Sequence, residues 1–288
     1  MVAGNGDRGR DLEIAARLTG RRVLDVVRIG GGRNSRVSKV TTSDGVFALK
    51  QYPSLVDDTR DRLTTETRAL QWMSGHGLTV VPRAIALERE SNCALLSWVE
   101  GSLVTDVGVD DVDQAASFLG TVERLRRNFT FPSSQSASEA CLSGAEIVRQ
   151  IRGRLSLLFG LEGEPALRAF LSAEFSDRFE QLLSEARSRL SATGLSFEDE
   201  LPPEQRTLVP SDFGFHNALR DAHGKLTFID FEYFGWDDPV KLMSDSLLHP
   251  GTAMTQSMRS RLRQALQKLY GDNPDFRARF AAFFPLFG

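Results

Sequence analysis

Residues 206–233 read RTLVPSDFGFHNALRDAHGKLTFIDFEY. Two short apolar runs, Arg206 to Pro210 and Lys225 to Phe231, flank the polar turn Asp221-Ala222-His223-Gly224, which predicts a small β-hairpin. Asp212 precedes Asn217 by five positions, and Asp230 follows Asn217 by thirteen. Three oxygen donors therefore flank one hairpin. Phosphoryl transfer needs a carboxylate to position the acceptor hydroxyl, and oxygen ligands for the hard magnesium ions that bridge the phosphates. Asp, Asn and Asp supply that set.

Working upstream, Val23 to Ile29, Arg36 to Thr42 and Val46 to Lys50 are short β-rich runs separated by Gly30-Gly31-Gly32 and Ser43-Asp44-Gly45. This spacing predicts a three-stranded antiparallel meander. Leu63, Glu66, Leu70 and Met73 recur at helical intervals between Asp57 and Ser74, and Gly75 and Gly77 follow as stop signals. Pro82 to Leu87 and Asn92 to Val99 predict two further strands, completing a five-stranded sheet with one helix. Beyond it, Val109 to Arg127, Glu139 to Phe159, Pro165 to Leu171 and Asp177 to Leu190 carry apolar residues at helical spacing. The expected fold class is α+β in two lobes: residues 1–101 as a β-rich nucleotide-binding lobe, and 102–288 as a mainly helical lobe with the hairpin and the acceptor site.

The first lobe offers the pieces the hairpin lacks. Gly31, Gly32, Asn34 and Ser35 lie in the turn between two strands, where backbone amides approach phosphate closely. Lys50 ends the third strand and can meet the phosphates as a point charge. Glu66, on the following helix, is placed to pair with it. Each feature alone has an ordinary explanation: a hairpin turn, local turn hydrogen bonds, a strand end and a solvated helix residue. Their order along the chain favours the phosphate-handling reading.

Composition narrows the alternatives. The 288 residues are 41% hydrophobic and 25% charged, with a formal net charge of -3, so there is no broad cationic field for a nucleic acid. No stretch approaches the roughly 20 apolar residues of a membrane helix, and no signal-peptide core is visible. Cys93 and Cys141 are too few for a disulfide framework, so a cytoplasmic location is expected. The apolar run Phe283 to Phe287 reads as a docked segment or the cut edge of a longer chain.

These motifs, from Gly30 to about Asp245, resemble the aminoglycoside phosphotransferase and choline kinase family, relatives of the protein kinases with the same two-lobed fold. The family's catalytic segment reads His-Gly-Asp, four variable residues, then Asn; Pro210-Ser211-Asp212-Phe213-Gly214-Phe215-His216-Asn217 occupies that frame. The resemblance implies Asp212 as the catalytic base or hydroxyl positioner, Asn217 and Asp230 as metal ligands, and ATP with Mg2+ as cofactors. Leu95 to Gly101 resembles the segment joining the lobes, which implies that Ser97 and Val99 offer backbone groups to the adenine. The implied acceptor is a small hydroxylated molecule such as a choline-like amino alcohol, an aminoglycoside or a sugar.

Glu232 and Trp236 are candidate acceptor contacts, since acidic and aromatic groups suit a cationic amine. The competing reading has Tyr233 and Trp236 packing the lobe while Asp237 and Asp238 cap a helix from Pro239. Pro210 and Ser211 depart from the family's His and Gly, so the loop must be held by other means. His216, beside Asn217, is a candidate to substitute for that His, but a neighbour in sequence on an extended segment is expected to point elsewhere. This departure keeps a nucleotide-binding pseudokinase as the alternative, while a protein kinase is disfavoured because no activation segment ending in Ala-Pro-Glu follows Asp230.

Overall fold

A computed structural model describes residues 5–31, 35–56, 58–249 and 254–288. Helix α1 (Asn5–Thr19) precedes strands β1 (Val23–Gly31), β2 (Arg36–Thr42) and β3 (Gly45–Gln51); α2 (Arg62–Gly75), β4 (Ala84–Glu88) and β5 (Cys93–Ser97) follow. The strands form one antiparallel sheet in the order β1-β2-β3-β5-β4, as the meander predicts. Alternation along a strand sends neighbours to opposite faces, and β3 uses this to separate a core residue from a polar one. Leu49 packs with Val26, Val40 and Cys93 under Ile14 and Ala15 of α1. Lys50 emerges on the other face, toward α2.

Helix α1 was not anticipated. Its apolar residues Leu12, Ile14, Ala15 and Leu18 form only a short stripe in an Arg- and Gly-rich segment. The stripe becomes a helix because the sheet's outer face needs covering.

The helical lobe runs through β6 (Ser102–Leu103), α3 (Val109–Asn128), α4 (Gly144–Phe159), α5 (Pro165–Phe170) and α6 (Ser176–Ser191). Leu171 to Phe175 form a π-helical segment that joins α5 to α6, so two predicted helices are continuous. Helix α4 starts later than the spacing predicts. Glu139 has φ of 58°, the Cys141 amide donates to Asp237 Oδ1 at 2.8 Å, and Ser143 caps the helix by accepting from the Glu146 amide at 3.1 Å.

The late strands are β7 (Thr207–Val209), β8 (Ala218–Arg220), β9 (Leu226–Phe228) and β10 (Gly235–Asp237), followed by α7 (Pro239–Leu248), α8 (Gln256–Tyr270) and α9 (Phe276–Phe287). The expected hairpin is re-paired. β8 and β9 form it around the Asp221 turn, β6 extends it, and β7 pairs with β10 instead. Gly101 allows this junction, because a Cβ there would lie 2.8 Å from the Arg220 carbonyl oxygen. Phe118 of α3 stacks on Phe228 at 4.5 Å and on Phe213 at 5.6 Å, tying the segment after Asp212 into the core. Phe283 and Leu286 of α9 are buried, so the last apolar run is docked on the body. Among the described residues no helix is long and apolar enough to cross a membrane.

Asp238 caps α7 through the Val240 amide at 2.7 Å and is paired with buried Arg279. Asp237, fully buried, uses Oδ1 for the Cys141 and Asp238 amides, while its Oδ2 has no partner among the described residues. Burial, only partly offset by Lys241, pushes the Asp237 carboxyl up to about 7. A folded value above the unfolded one, near ~3.9, stabilises the protein at low pH, and that contribution is lost as pH rises through the folded value. Between pH 5 and pH 8, urea midpoints should shift the stability difference by roughly 2–3 kcal/mol in favour of Asp237→Asn over the wild type.

Candidate active site

Lys50 is buried where β3, α2 and the segment after β9 meet. Its Nζ lies 2.5 Å from Glu66 Oε2, 2.6 Å from Asp230 Oδ1 and 3.2 Å from Glu232 Oε2. A desolvated ammonium is tolerated only when paired. Burial opposes its charge, but the Glu66, Asp230 and Glu232 carboxylates outweigh burial and hold the Lys50 ammonium well above its ordinary range.

Glu66 fastens the lobes together. It accepts from Tyr52 Oη at 2.7 Å and, through Oε1, from the Phe231 backbone amide at 3.2 Å. Arg62, one turn earlier on α2, donates to Glu232 Oε1 at 2.5 Å and to Asp58. The helix therefore presents Arg62 and Glu66 on one face, four residues apart, toward the same segment.

Asp212 stands in the loop after β7. Its amide donates to the Pro210 carbonyl at 3.0 Å, and Ser211 adopts a φ of 68° while its Oγ donates to the Ser138 carbonyl at 3.2 Å. The loop lacking the family's His-Gly is thus anchored on the segment before α4. Asn217 Nδ2 donates to the Asp212 carbonyl at 2.9 Å, and the Ile229 amide donates to the Asn217 carbonyl at 2.9 Å. Asn217 is consequently brought across the hairpin to the residue before Asp230. Asp230 itself has a φ of 68°, a left-handed conformation that Asp tolerates better than most residues.

His216 departs from the extended geometry expected of its segment. Phe215 to Asn217 form a 3-10 turn rather than an extended segment, so His216 wraps back and its Nε2 lies 3.2 Å from Asp212 Oδ1. His249, at the end of α7, stacks on His216. The His216 hydrogen bond holds the Asp212 carboxyl below its ordinary range against burial, with His249 and Asn217 adding to it.

The other expected residues are distributed as follows. Gly31 closes β1 and Ser35 leads into β2, whereas Gly32 and Asn34 lie outside the described residues. Ser97 ends β5, where its Oγ accepts from the Arg83 amide at 2.9 Å. Val99 lies half-buried between β5 and β6. Neither Glu232 nor Trp236 is among the residues lining the cavity beside Asp212. Glu232 is buried on Lys50 and Arg62, and Trp236 packs on Phe131 while its Nε1 donates to the Pro132 carbonyl.

That cavity, about 400 Å³, is lined among others by Arg60, Glu139, Arg154, Asp212, Tyr233 and Lys241. Arg60 and Arg62 stand over the Tyr233 ring at 5.1 and 4.9 Å. The aromatic face is already engaged by the protein's own guanidinium groups.

Lys50, Arg60 and Arg62 face Asp58, Glu66, Asp230 and Glu232, which leaves the cluster one negative charge in excess. Removing Lys50 strands the carboxylates. Lys50→Met is expected to lower unfolding free energy at pH 7 by roughly 3–5 kcal/mol in urea titrations, with part of the loss restored by a second change, Glu66→Gln.

The model of the phosphotransferase enzyme family matches residues 25–270. No curated protein matches the chain. Among solved structures, an ADP-bound aminoglycoside phosphotransferase is similar at 15% identity and a TM-score of 0.60, over 96% of this chain and 89% of that one. A choline kinase from Streptococcus pneumoniae gives 16% and 0.55 over 98% and 99% of the two chains. A macrolide 2'-phosphotransferase from Brachybacterium faecium gives 17% and 0.58 over 96% and 90%. At such identities the shared property is the fold.

Proposed function

The chain belongs to the phosphotransferase enzyme family, and on that premise we propose that it is a cytoplasmic kinase transferring the γ-phosphate of ATP to a hydroxyl of a small molecule. One observation carries the reading: Lys50 Nζ and Asp230 Oδ1, 180 positions apart in sequence, meet at 2.6 Å. Residues 1–101 act as the nucleotide lobe, with Lys50, fixed by Glu66, aligning the phosphates. Gly31, at the end of β1, and Ser35, just before β2, border them, and Ser97 and Val99 border the adenine. Both cysteines are free and buried, in keeping with a reducing cytoplasm.

The donor set fits magnesium. Asn217 directs its Nδ2 to Asp212, which leaves the amide oxygen as an acceptor. Asp230 shares one oxygen with Lys50, and its side chain is 32% exposed. Asn217 and Asp230 would hold the ion through oxygen atoms, the ligands a hard cation prefers. When bound, magnesium would offset the charge of the nucleotide phosphates. Asp212, at the edge of the cavity, orients the acceptor hydroxyl and accepts its proton.

The anchoring of Ser211 on Ser138 supports a functional loop over the pseudokinase alternative. Purified protein with Mg-ATP and a panel of amino alcohols, aminoglycosides and sugars should release ADP with at least one acceptor. Asp212→Asn and Asp230→Asn should each reduce that turnover on the order of 100-fold or more, and only Asp230→Asn should also abolish the magnesium-dependent rise of Tm with ATP. A Tm rise without turnover on any acceptor would favour the pseudokinase, and full activity in either variant would remove the assigned roles.

A further inference from the structure

Asp212 is approached by two imidazoles from different elements. His216, in the 3-10 turn, brings Nε2 to 3.2 Å from Asp212 Oδ1, and His249, capping α7, brings Nε2 to 3.7 Å from the same oxygen. Only the first is within hydrogen-bond reach. The rings stack with centroids 4.3 Å apart and planes 9° from parallel, so His249 defines the plane in which the His216 ring lies.

The His216 tautomer follows from its surroundings. Nδ1 is buried and has no hydrogen-bond partner among the described residues. A proton there would be an orphaned buried donor, whereas a bare lone pair is the cheaper group to leave unmatched. The proton therefore sits on Nε2, and His216 donates to Asp212. Asn217 Nδ2 holds the Asp212 backbone carbonyl at 2.9 Å and approaches Oδ2 at 3.4 Å. With Oδ1 tied to His216, the carboxylate cannot rotate freely, yet its side chain stays 44% exposed at the cavity edge.

We infer that His216 is a positioning residue for Asp212, and that His249 acts behind it by holding the donor ring in plane. The pair restrains the carboxylate from the C-terminal side of the loop, while Ser211 anchors the N-terminal side on Ser138. The inference rests on the reading of Asp212 as the hydroxyl-orienting carboxylate. It requires that loss of the donor damage turnover more than nucleotide binding, because His216 touches the carboxylate and neither Lys50 nor Asp230.

The test combines kinetics on an acceptor found in the panel with imidazole 15N shifts of the full chain. His216→Ala should lower kcat on the order of 10- to 100-fold while KM for ATP moves by less than about twofold, and His249→Ala should lower kcat less. His216→Gln, whose amide can donate in place of Nε2, should recover most of the loss at an unchanged Tm. Wild-type kcat in His216→Ala overturns the inference, as does a Gln variant no better than Ala. If His216→Ala fails to fold, the Gln variant decides alone: kcat within about threefold of wild type sustains the role, and a loss near 100-fold overturns it. If the wild type phosphorylates nothing, the kinase reading has failed, and the shifts decide separately. Asp212→Asn must then move the His216 nitrogen resonances, and unchanged resonances overturn the contact itself.

Discussion

A buried lysine that must find carboxylates governs this molecule. Lys50 is forced out of water by its place on β3, with Leu49 committed to the core under α1 on the opposite face. An unpaired ammonium at that depth costs several kcal/mol. The pairing comes from α2 and from the segment after β9, so this polar cluster joins the two lobes. Such a cluster contributes little net stability compared with apolar packing. Its value lies in geometry, because Glu66 ties the Phe231 backbone and Lys50 to one carboxylate.

Within the cluster the carboxylates are not equivalent: Glu66 and Glu232 are buried, whereas the Asp230 side chain is partly exposed. Two residues in left-handed backbone, Ser211 and Asp230, stand at the two ends of the segment that carries Asp212 and Asn217. Strained positions of this kind persist only where the surroundings over-determine them. Here the determinants are named hydrogen bonds: Ser211 to Ser138, Asn217 to Asp212, and Ile229 to Asn217.

Of the acidic and aromatic residues after β9, Glu232 is paired with Arg62 and Lys50, and Tyr233 is stacked under Arg60 and Arg62. The cavity beside Asp212 is instead walled by paired charges, including Arg154 with Glu139 and Lys241 with Asp245. At identities of 13–17% with solved structures, the shared property is the fold.

The sequence by itself determined the five strands, the helix carrying Glu66, and the order in which Lys50, Glu66, Asp212, Asn217 and Asp230 appear. Those features are written in local periodicity and turn chemistry, which act over a few residues. It did not reveal α1, whose short apolar stripe becomes helical only against the sheet, nor the pairing of β7 with β10, since strand partners are chosen by the whole core. Only the tertiary structure decided that Glu232 faces Lys50 and Arg62, and that His216 and His249 converge on Asp212. A side chain's direction over such distances depends on how several elements pack at once, and no window of neighbouring residues contains that information.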